Sequence, residues 1–452
     1  MIPTSSHYWL QNANVPACLL SGTDTASING QNREGLTVVH LEIQSGAITQ
    51  IIPATDDDFG ETEVVNCQHG IVWPCFVDIH THLDKAHIWP RSPNPDGTFK
   101  GALDTVLKDS AVYWTAEDLY RRMEFALKCS YAHGTQAIRT HLDSGGNLAK
   151  ISWEVFNTLQ TEWADRITLQ AVSLVPLEDF LTPAGEKLAD QVAAYGGVLG
   201  GVAYMNPEID RQIDRVFTLA KERQLDLDFH TDENGDPNSI TLRKVAIAAI
   251  RHQFNGQIVC GHCCSLALQD PVAVNQTLDL VKQARIGIIS LPLCNLYLQD
   301  RQYTGVEVKV NQHLSIRQPI TPRWRGITPV HELQQQGIPV AIASDNCRDP
   351  FYGFGDHDVL EVFNQGVRIA HLDHDYGNWP QVVTKIPAEL MGLSKVGQLY
   401  VGQNADLILF KARSFSELLS RPQSDRVLLR KGKIVNRVLP DYRELDDIVI
   451  HV

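Results

Sequence analysis

From about residue 70 to residue 346, short apolar, β-rich runs alternate with longer stretches in which apolar residues recur every three to four positions. That alternation is the mark of parallel βα units. Eight runs stand out: IVWPCFVDIH (71–80), TQAIRTH (135–141), ITLQAVSLV (167–175), VLGGVAY (198–204), LDLDFHT (225–231), QIVCGHC (257–263), IGIISLP (286–292) and IPVAIASD (338–345). Between them lie helical patterns such as AEDLYRRMEFALKCSYAHG and IDRQIDRVFTLAKERQ. Eight strands, each with a following helix, predict an α/β fold, a (β/α)8 barrel of the TIM type spanning 70–396. A doubly wound open sheet would alternate too, so the placement of polar residues has to separate the two. Residues 1–69 and 397–452 read differently, with β-rich LTVVHLEIQSGAITQII, ADLILF and RVLLRKGKIVN. They predict one small β-sandwich domain built from both chain ends, with the RVLLRKGK charges on a solvated strand edge.

The ends of the runs carry the polar signal. The first closes on His80-Thr81-His82, and residues two apart on an extended chain share a face, so both imidazoles point one way. The fifth ends at His230 with Glu233 three residues on, the sixth at His262, and the eighth at Asp345-Asn346. Barrel enzymes place their chemistry at the C-terminal ends of strands. A single H-x-H is commonly a surface accident, and a single buried histidine a hydrogen-bonded core residue. Conjunction is what counts: three histidine positions and an aspartate close four different strands and would converge on one axis. His80, His82, His230 and Asp345 are therefore the expected ligands of one divalent metal ion, Zn²⁺ or Fe²⁺. Such an ion lowers the pKa of bound water towards about 7 and yields hydroxide. The fourth run, VLGGVAYMNP, lacks a lysine that could bridge two ions, which favours one.

Composition narrows the class. The chain has 452 residues, 43% hydrophobic and 20% charged, with a formal charge of −14. That balance is globular, and the acidic surplus argues against nucleic acid as partner. No run is long enough to span a membrane, MIPTSSHYWLQN lacks signal-peptide layout, and nine cysteines lack framework spacing. A cytoplasmic protein is expected. The C-x-x-C within Cys260-Gly-His-Cys263-Cys264 has no second pair and reads as buried thiols rather than a structural zinc site.

The words FVDIHTHLDKA, RTHLD, FHTDE, GHCCSL, LPLCNLYLQDR, RWRGITPVHEL and ASDNCRDPFY, in this order, resemble the amidohydrolase superfamily and within it the bacterial cytosine deaminase group. GQNADLILF resembles the same group's C-terminal β-domain. The resemblance implies a barrel plus β-sandwich, one metal, a small heterocyclic substrate, no membrane partner and a homo-oligomer. It also implies catalytic roles: Asp345 takes a proton from the attacking water, Glu233 protonates a ring nitrogen, and His262 hydrogen-bonds the new oxygen. Hydrolytic deamination of an amino-substituted nitrogen heterocycle, cytosine or a related aminopyrimidine, is the expected reaction.

Three departures bear on the substrate. The glutamine expected after the third strand is absent from Val175-Pro176-Leu177-Glu178, Asn346 replaces a second aspartate, and Phe351 replaces a tryptophan. Asn346 and Phe351 are thus candidate substrate-binding residues whose change redirects specificity. The Asp-Asn-x-Arg-Asp run, 345–349, is similar to that of N-isopropylammelide amidohydrolase. Release of an amine from an aminotriazine, or opening of a cyclic amide, is therefore the competing reaction. A barrel retained as a scaffold is a third reading, opposed by the complete ligand set. Asp84 and Lys85 could line the mouth or hold the first loop as ion-paired residues. Arg139 and His141 read as packing and supporting hydrogen bonds, Arg348 and Asp349 as a pair, and His133 and His331 as surface or capping groups.

Overall fold

The computed structural model describes residues 2–22, 30–55, 59–309, 315–374 and 376–449. Eight parallel strands form the centre: β1 (Phe76–Thr81), β2 (Thr135–Asp143), β3 (Thr168–Leu174), β4 (Leu199–Ala203), β5 (Leu227–Thr231), β6 (Ile258–His262), β7 (Ile286–Ser290) and β8 (Val340–Ile342). Continuous ladders join β1 to β3 and β4 to β8. Single bridges close the ring, Val172 with Val198 and Pro176 with Val202 between β3 and β4, and Thr81 with Asp345 between β1 and the end of β8. The Asp345 amide donates to the His80 carbonyl at 2.8 Å, so the last seam is sewn at the prospective ligands themselves. The eight sequence runs are these eight strands.

Helices follow the apolar spacing. Ala116–His133 starts on Thr115, whose side chain accepts from the Asp118 amide, and stops at Gly134 with φ 102°, a left-handed cap that glycine adopts without penalty. The main core lies between strands and helices. A second cluster of Val77, Ile79, Ala137, Val259, Ile289, Leu291 and Ala341 continues onto Ala388, Leu390 and Met391, which makes the barrel a packed interior rather than a pore.

The chain ends form the small β-unit. One sheet has the order Ala47–Pro53, Leu36–Gln44, His7–Pro16, Glu63–Asn66, and the other Lys433–Ile434, Val427–Arg430, Leu407–Leu409, Val72–Pro74. Their inner faces share Tyr8, Leu10, Leu41, Ile43, Leu407 and Leu429. The first apolar run is therefore divided: Val72–Pro74 pairs with Leu407–Leu409 while Phe76 onwards enters the barrel. Of the RVLLRKGK charges, Lys431 and Lys433 are exposed at the sheet edge as expected, but Arg426 is buried and paired with Asp358 at 2.6 Å, because its guanidinium reaches back from the strand to the barrel helices. An antiparallel hairpin, Gln302–Lys309 with Ser315–Ile320, lies after β7 in a stretch where no strand was expected. Among the described residues no helix is long and apolar enough to cross a membrane.

Candidate active site

β1, β5, β6 and β8 deliver their terminal residues to one end of the barrel. His82 Nε2 lies 3.2 Å and His80 Nε2 3.5 Å from Asp345 Oδ1, and His230 Nε2 lies 3.4 Å from His82 Nε2. All four side chains are buried. His262 and Asp345 have φ of 69° and 64°, a region costly to residues with a Cβ and sustained where the surroundings fix it. In β1 the register against β2 shifts between Asp78 and Thr81, where the H-x-H begins. Asp78 also accepts from the backbone amide (3.1 Å) and hydroxyl of Ser344, tying the end of β8 to β1.

The donor set fits a cation. His80 Nδ1 and Nε2, His230 Nδ1 and both Asp345 carboxylate oxygens are buried without a hydrogen-bond partner. Buried polar atoms are ordinarily paired, and a carboxylate facing imidazoles without a proton between them is costly. A shared divalent ion satisfies them together, and three nitrogens with one oxygen suit zinc or ferrous iron. Burial lowers the pKa of His82 and His230, further depressed by the Lys85 ammonium for His82 and by the crowd of imidazoles, which cannot all protonate together, for His230. Both rings are thus neutral near pH 7, with lone pairs free to bind metal.

Two carboxyls are driven in opposite directions. Burial, reinforced by the charge of Asp345, pushes Glu233 well above the ordinary carboxyl range. Asp345 lies well below it, because the contacts to His80 and His82 outweigh burial. One is a neutral acid and the other an anion at the same pH, the separation that assigns acid and base roles. His262 Nδ1 lies 3.4 Å from Glu233 Oε1, and its Nε2 is buried and unpartnered. Burial brings its pKa down to about 3, leaving a neutral ring.

A cavity of about 420 Å³ opens on this cluster, bordered by His82, His230, Glu233, His262, Asp345 and Asn346. That size lies in the roughly 300–1,000 Å³ range of small-molecule sites. Its far wall is apolar, with Leu103, Val106, Leu148 and Leu174. Val175 and Pro176 form the wall where a glutamine was sought, and Glu178 is exposed. Phe351 stands in the wall against Phe99, ring centres 5.4 Å apart. A smaller lobe of about 210 Å³ adjoins along Tyr204, Glu233, Leu298 and Gln299.

Two residues outside the expected site also belong to it, His141 and Asn295. The His141 ring centre is 4.0 Å from that of His80 and 4.8 Å from that of His230. Its nitrogen lies within 4.8 Å of ligand atoms of both, so it belongs to the cluster's own layer. Its place two residues after Arg139, on the same face of β2, was the available signal. Asn295, inside LPLCNLYLQDR, gave none. Lys85 both lines the cavity and pairs with Asp143 at 2.7 Å, so the two readings offered for it hold together. Asp84 accepts from the Asp143 amide at 2.7 Å and holds the first loop.

Of the remaining expectations, some hold and two need correcting, the Arg348–Asp349 pair and an exposed His133. Arg348 lies over the Tyr442 ring at 4.5 Å, and among the described residues no ion pair joins it to Asp349. Asp349 instead accepts from Asn346 Nδ2 (2.8 Å) and from the Phe351 and Tyr352 amides, because the tight turn presents three N–H groups to it. His133 is buried rather than exposed, held to Asp356 at 2.8 Å. His331 reaches the Ala370 carbonyl at 2.8 Å from the start of its helix. Cys260, Cys263 and Cys264 are buried thiols.

Comparison with known proteins adds to this geometry. The family model for the amidohydrolase family matches residues 177–436. A pterin deaminase from Rhizobium rhizogenes is 48% identical over 448 residues, covering 99% of this chain and 98% of that protein. An N-isopropylammelide isopropyl amidohydrolase from a Pseudomonas species is 23% identical over 381 residues, 82% and 87% of the two chains. The crystal structure of 5-methylcytosine deaminase from Klebsiella pneumoniae superposes with a TM-score of 0.77 at 23% identity, over 96% of this chain and 98% of that one. The last likeness speaks for the fold. With the matched span and the full-length relative together, the chain belongs to the amidohydrolase family.

Proposed function

We propose that this protein is a hydrolytic deaminase of a fused amino-lactam of the pterin class, converting the ring C–NH2 to a ring carbonyl and releasing ammonia. The observation that carries the substrate class is the 48% identity to a pterin deaminase over essentially both chains. The pocket departures agree with it: an apolar wall at Val175 and Pro176, Asn346 in place of a second carboxylate, and an adjoining lobe give room beyond a single ring. Cytosine, the expectation from motif resemblance, becomes the comparison substrate.

His80, His82, His230 and Asp345 hold the divalent ion in this reading. When bound, the ion supplies Lewis acidity and lowers the pKa of water towards about 7. Asp345, anionic in its setting, accepts a proton as water oxygen bonds to the amino-bearing carbon. Glu233, held neutral, donates its proton to the adjacent ring nitrogen and makes that carbon electrophilic. The His262 ring lies beside the oxygen as charge builds there. On collapse the carbon–nitrogen bond breaks, the proton on Asp345 goes to the departing amine, and Glu233 regains one from the new hydroxyl. Water and substrate are consumed, lactam and ammonia are made, and both carboxyls return to their starting states.

The test is ammonia release by metal-loaded protein from pterin, isoguanine, cytosine, 5-methylcytosine and an N-alkylaminotriazine. Pterin should be turned over with the highest kcat/KM, and Glu233→Gln should keep its metal while losing about 10²–10⁴-fold in rate. Preferred release of alkylamine from the triazine would replace this reading with the one suggested by the Asp345–Asp349 run and the 23% relative.

A further inference from the structure

Asn295 is fully buried in the middle of the short helix Pro292–Leu298. Its Nδ2 lies 3.0 Å from His262 Nδ1 and 3.4 Å from Glu233 Oε1. Those two acceptors are themselves 3.4 Å apart, so the amide NH2 sits against both. With Nδ2 facing both, Glu233 Oε1 is an accepting oxygen, and the proton of the neutral carboxyl is on Oε2. An amide NH2 has two protons to give and no lone pair to offer. His262 Nδ1 must then be the accepting nitrogen, and the single proton of the neutral ring is on Nε2. That atom is buried, has no partner, and belongs to the ring that closes with His80 and Asp345 around the reaction centre. The backbone that carries the ring is held as well, since Thr328 Oγ1 donates to the His262 carbonyl at 2.5 Å.

We infer that Asn295 is a positioning residue that sets the His262 tautomer, making Nε2–H the donor to the oxygen formed on the substrate, and aligns the Glu233 carboxyl with it. Packing alone gives no reason for an amide here. Asn295 Oδ1 is buried without a partner, and leucine of similar size would avoid that cost. The amide earns its place through its two donated hydrogens. The inference rests on the deaminase reading for the identity of the oxygen that His262 meets, but the tautomer itself does not depend on any substrate.

The experiment is ¹⁵N NMR of zinc-loaded protein labelled at the histidine ring nitrogens, with the His262 signals identified by their loss in His262→Asn. The wild type should show an unprotonated Nδ1 and a protonated Nε2. Asn295→Asp, which can only accept when ionised, should reverse the pair. In turnover, Asn295→Asp and Asn295→Leu should lower kcat by about 10²–10³-fold, as removal of an oxyanion donor does, with KM changed far less. Restoring the amide on a longer arm in Asn295→Gln should return part of kcat. A protonated Nδ1 in the wild type overturns the inference even if no Asn295 variant folds, and so does an unchanged kcat in a folded Asn295→Leu. Absence of turnover on every ring by a wild type with the expected tautomer would instead sink the deaminase reading.

Discussion

The Lys85 ammonium meets the Asp143 carboxylate at 2.7 Å on the cavity wall, with the lysine side chain 6% exposed. Burial disfavours the charged lysine, yet Asp143 and Asp84 outweigh it and raise its pKa above the ordinary value. The same ammonium lies 5.9 Å from the Phe351 ring centre. It is the cationic donor on a largely apolar wall, suited to a ring carbonyl. Lys85→Met should raise KM for a lactam substrate by roughly 10–150-fold, the worth of a hydrogen bond to a charged group. It should also lower stability towards the low end of the ~3–5 kcal/mol for a broken buried pair. A lower Tm with unchanged KM would make Lys85 purely a support for the loop. Because the folded pKa is raised, titration of Lys85 leaves this pairing intact below about pH 10.4 and removes it only as pH rises above that value.

Asn346→Asp examines the most telling departure in the pocket. Asn346 Nδ2 donates to Asp349 Oδ2 at 2.8 Å, and burial already pushes the Asp349 carboxyl up to about 7. The native fold therefore holds a proton there that the unfolded chain releases near pH 4, and stability falls as pH rises from about 4 to 7. Substituting aspartate exchanges the donor for a second carboxyl, which deepens that slope through like-charge repulsion. The Tm gap to wild type should widen between pH 5.5 and pH 8. The ratio of cytosine to pterin turnover should rise as well. A gap independent of pH would mean the two carboxyls have moved apart, and an unchanged ratio would acquit position 346 of choosing the ring.

Much of this was legible because strands report their ends. His80, His82, His230, His262 and Asp345 each close an apolar run, and parallel pairing brings strand ends together whatever lies between them. What stayed hidden depended on contacts between distant segments. Asp228, two residues before His230, meets Arg139 and His141 only across the barrel interior. Asn295 lies on a short helix whose apolar pattern masks a polar task. The division at Cys75, where one run serves two sheets, has no local signal, since Val72–Pro74 and Phe76–Thr81 are equally buried. The hairpin from Gln302 alternates weakly and follows a βα unit already complete in the pattern.

Metal removal should separate the ligand cluster from its surroundings. Protein with ion present at 100 times Kd should be more stable than chelated protein by about 2.7 kcal/mol, the mass-action value for one site. His230→Ala should lose the ion, and its chelated and metal-supplemented forms should melt together. Retained stoichiometry in that variant would point to His141 as the substituting nitrogen, since its ring already lies among those of His80 and His230. Affinity should fall in acid as the imidazoles take up protons.

The deepest charged network supports the same layer from below. Arg139 Nη1 donates to Asp228 Oδ2 at 3.0 Å, its other nitrogens reach Gln170 Oε1, and Asp228 Oδ1 lies 3.4 Å from His141 Nε2. Burial alone would raise the Asp228 pKa, but His141 and Arg139 outweigh it and hold the carboxyl below its ordinary value. A depressed folded pKa contributes stability above about pH 3.9, and that stability drains as pH falls through the folded value. Asp228→Asn keeps the shape, removes the charge and strands the Arg139 guanidinium, an expected loss of about 3–5 kcal/mol at pH 7. Thermal melts should show the gap to wild type steady from pH 7 to about pH 4, then shrinking from about pH 4 down to about pH 2 as the wild-type carboxyl protonates. A gap of constant size across that range would locate the loss in packing, and no gap at all would mean that Gln170 and the Leu390 carbonyl suffice to hold Arg139.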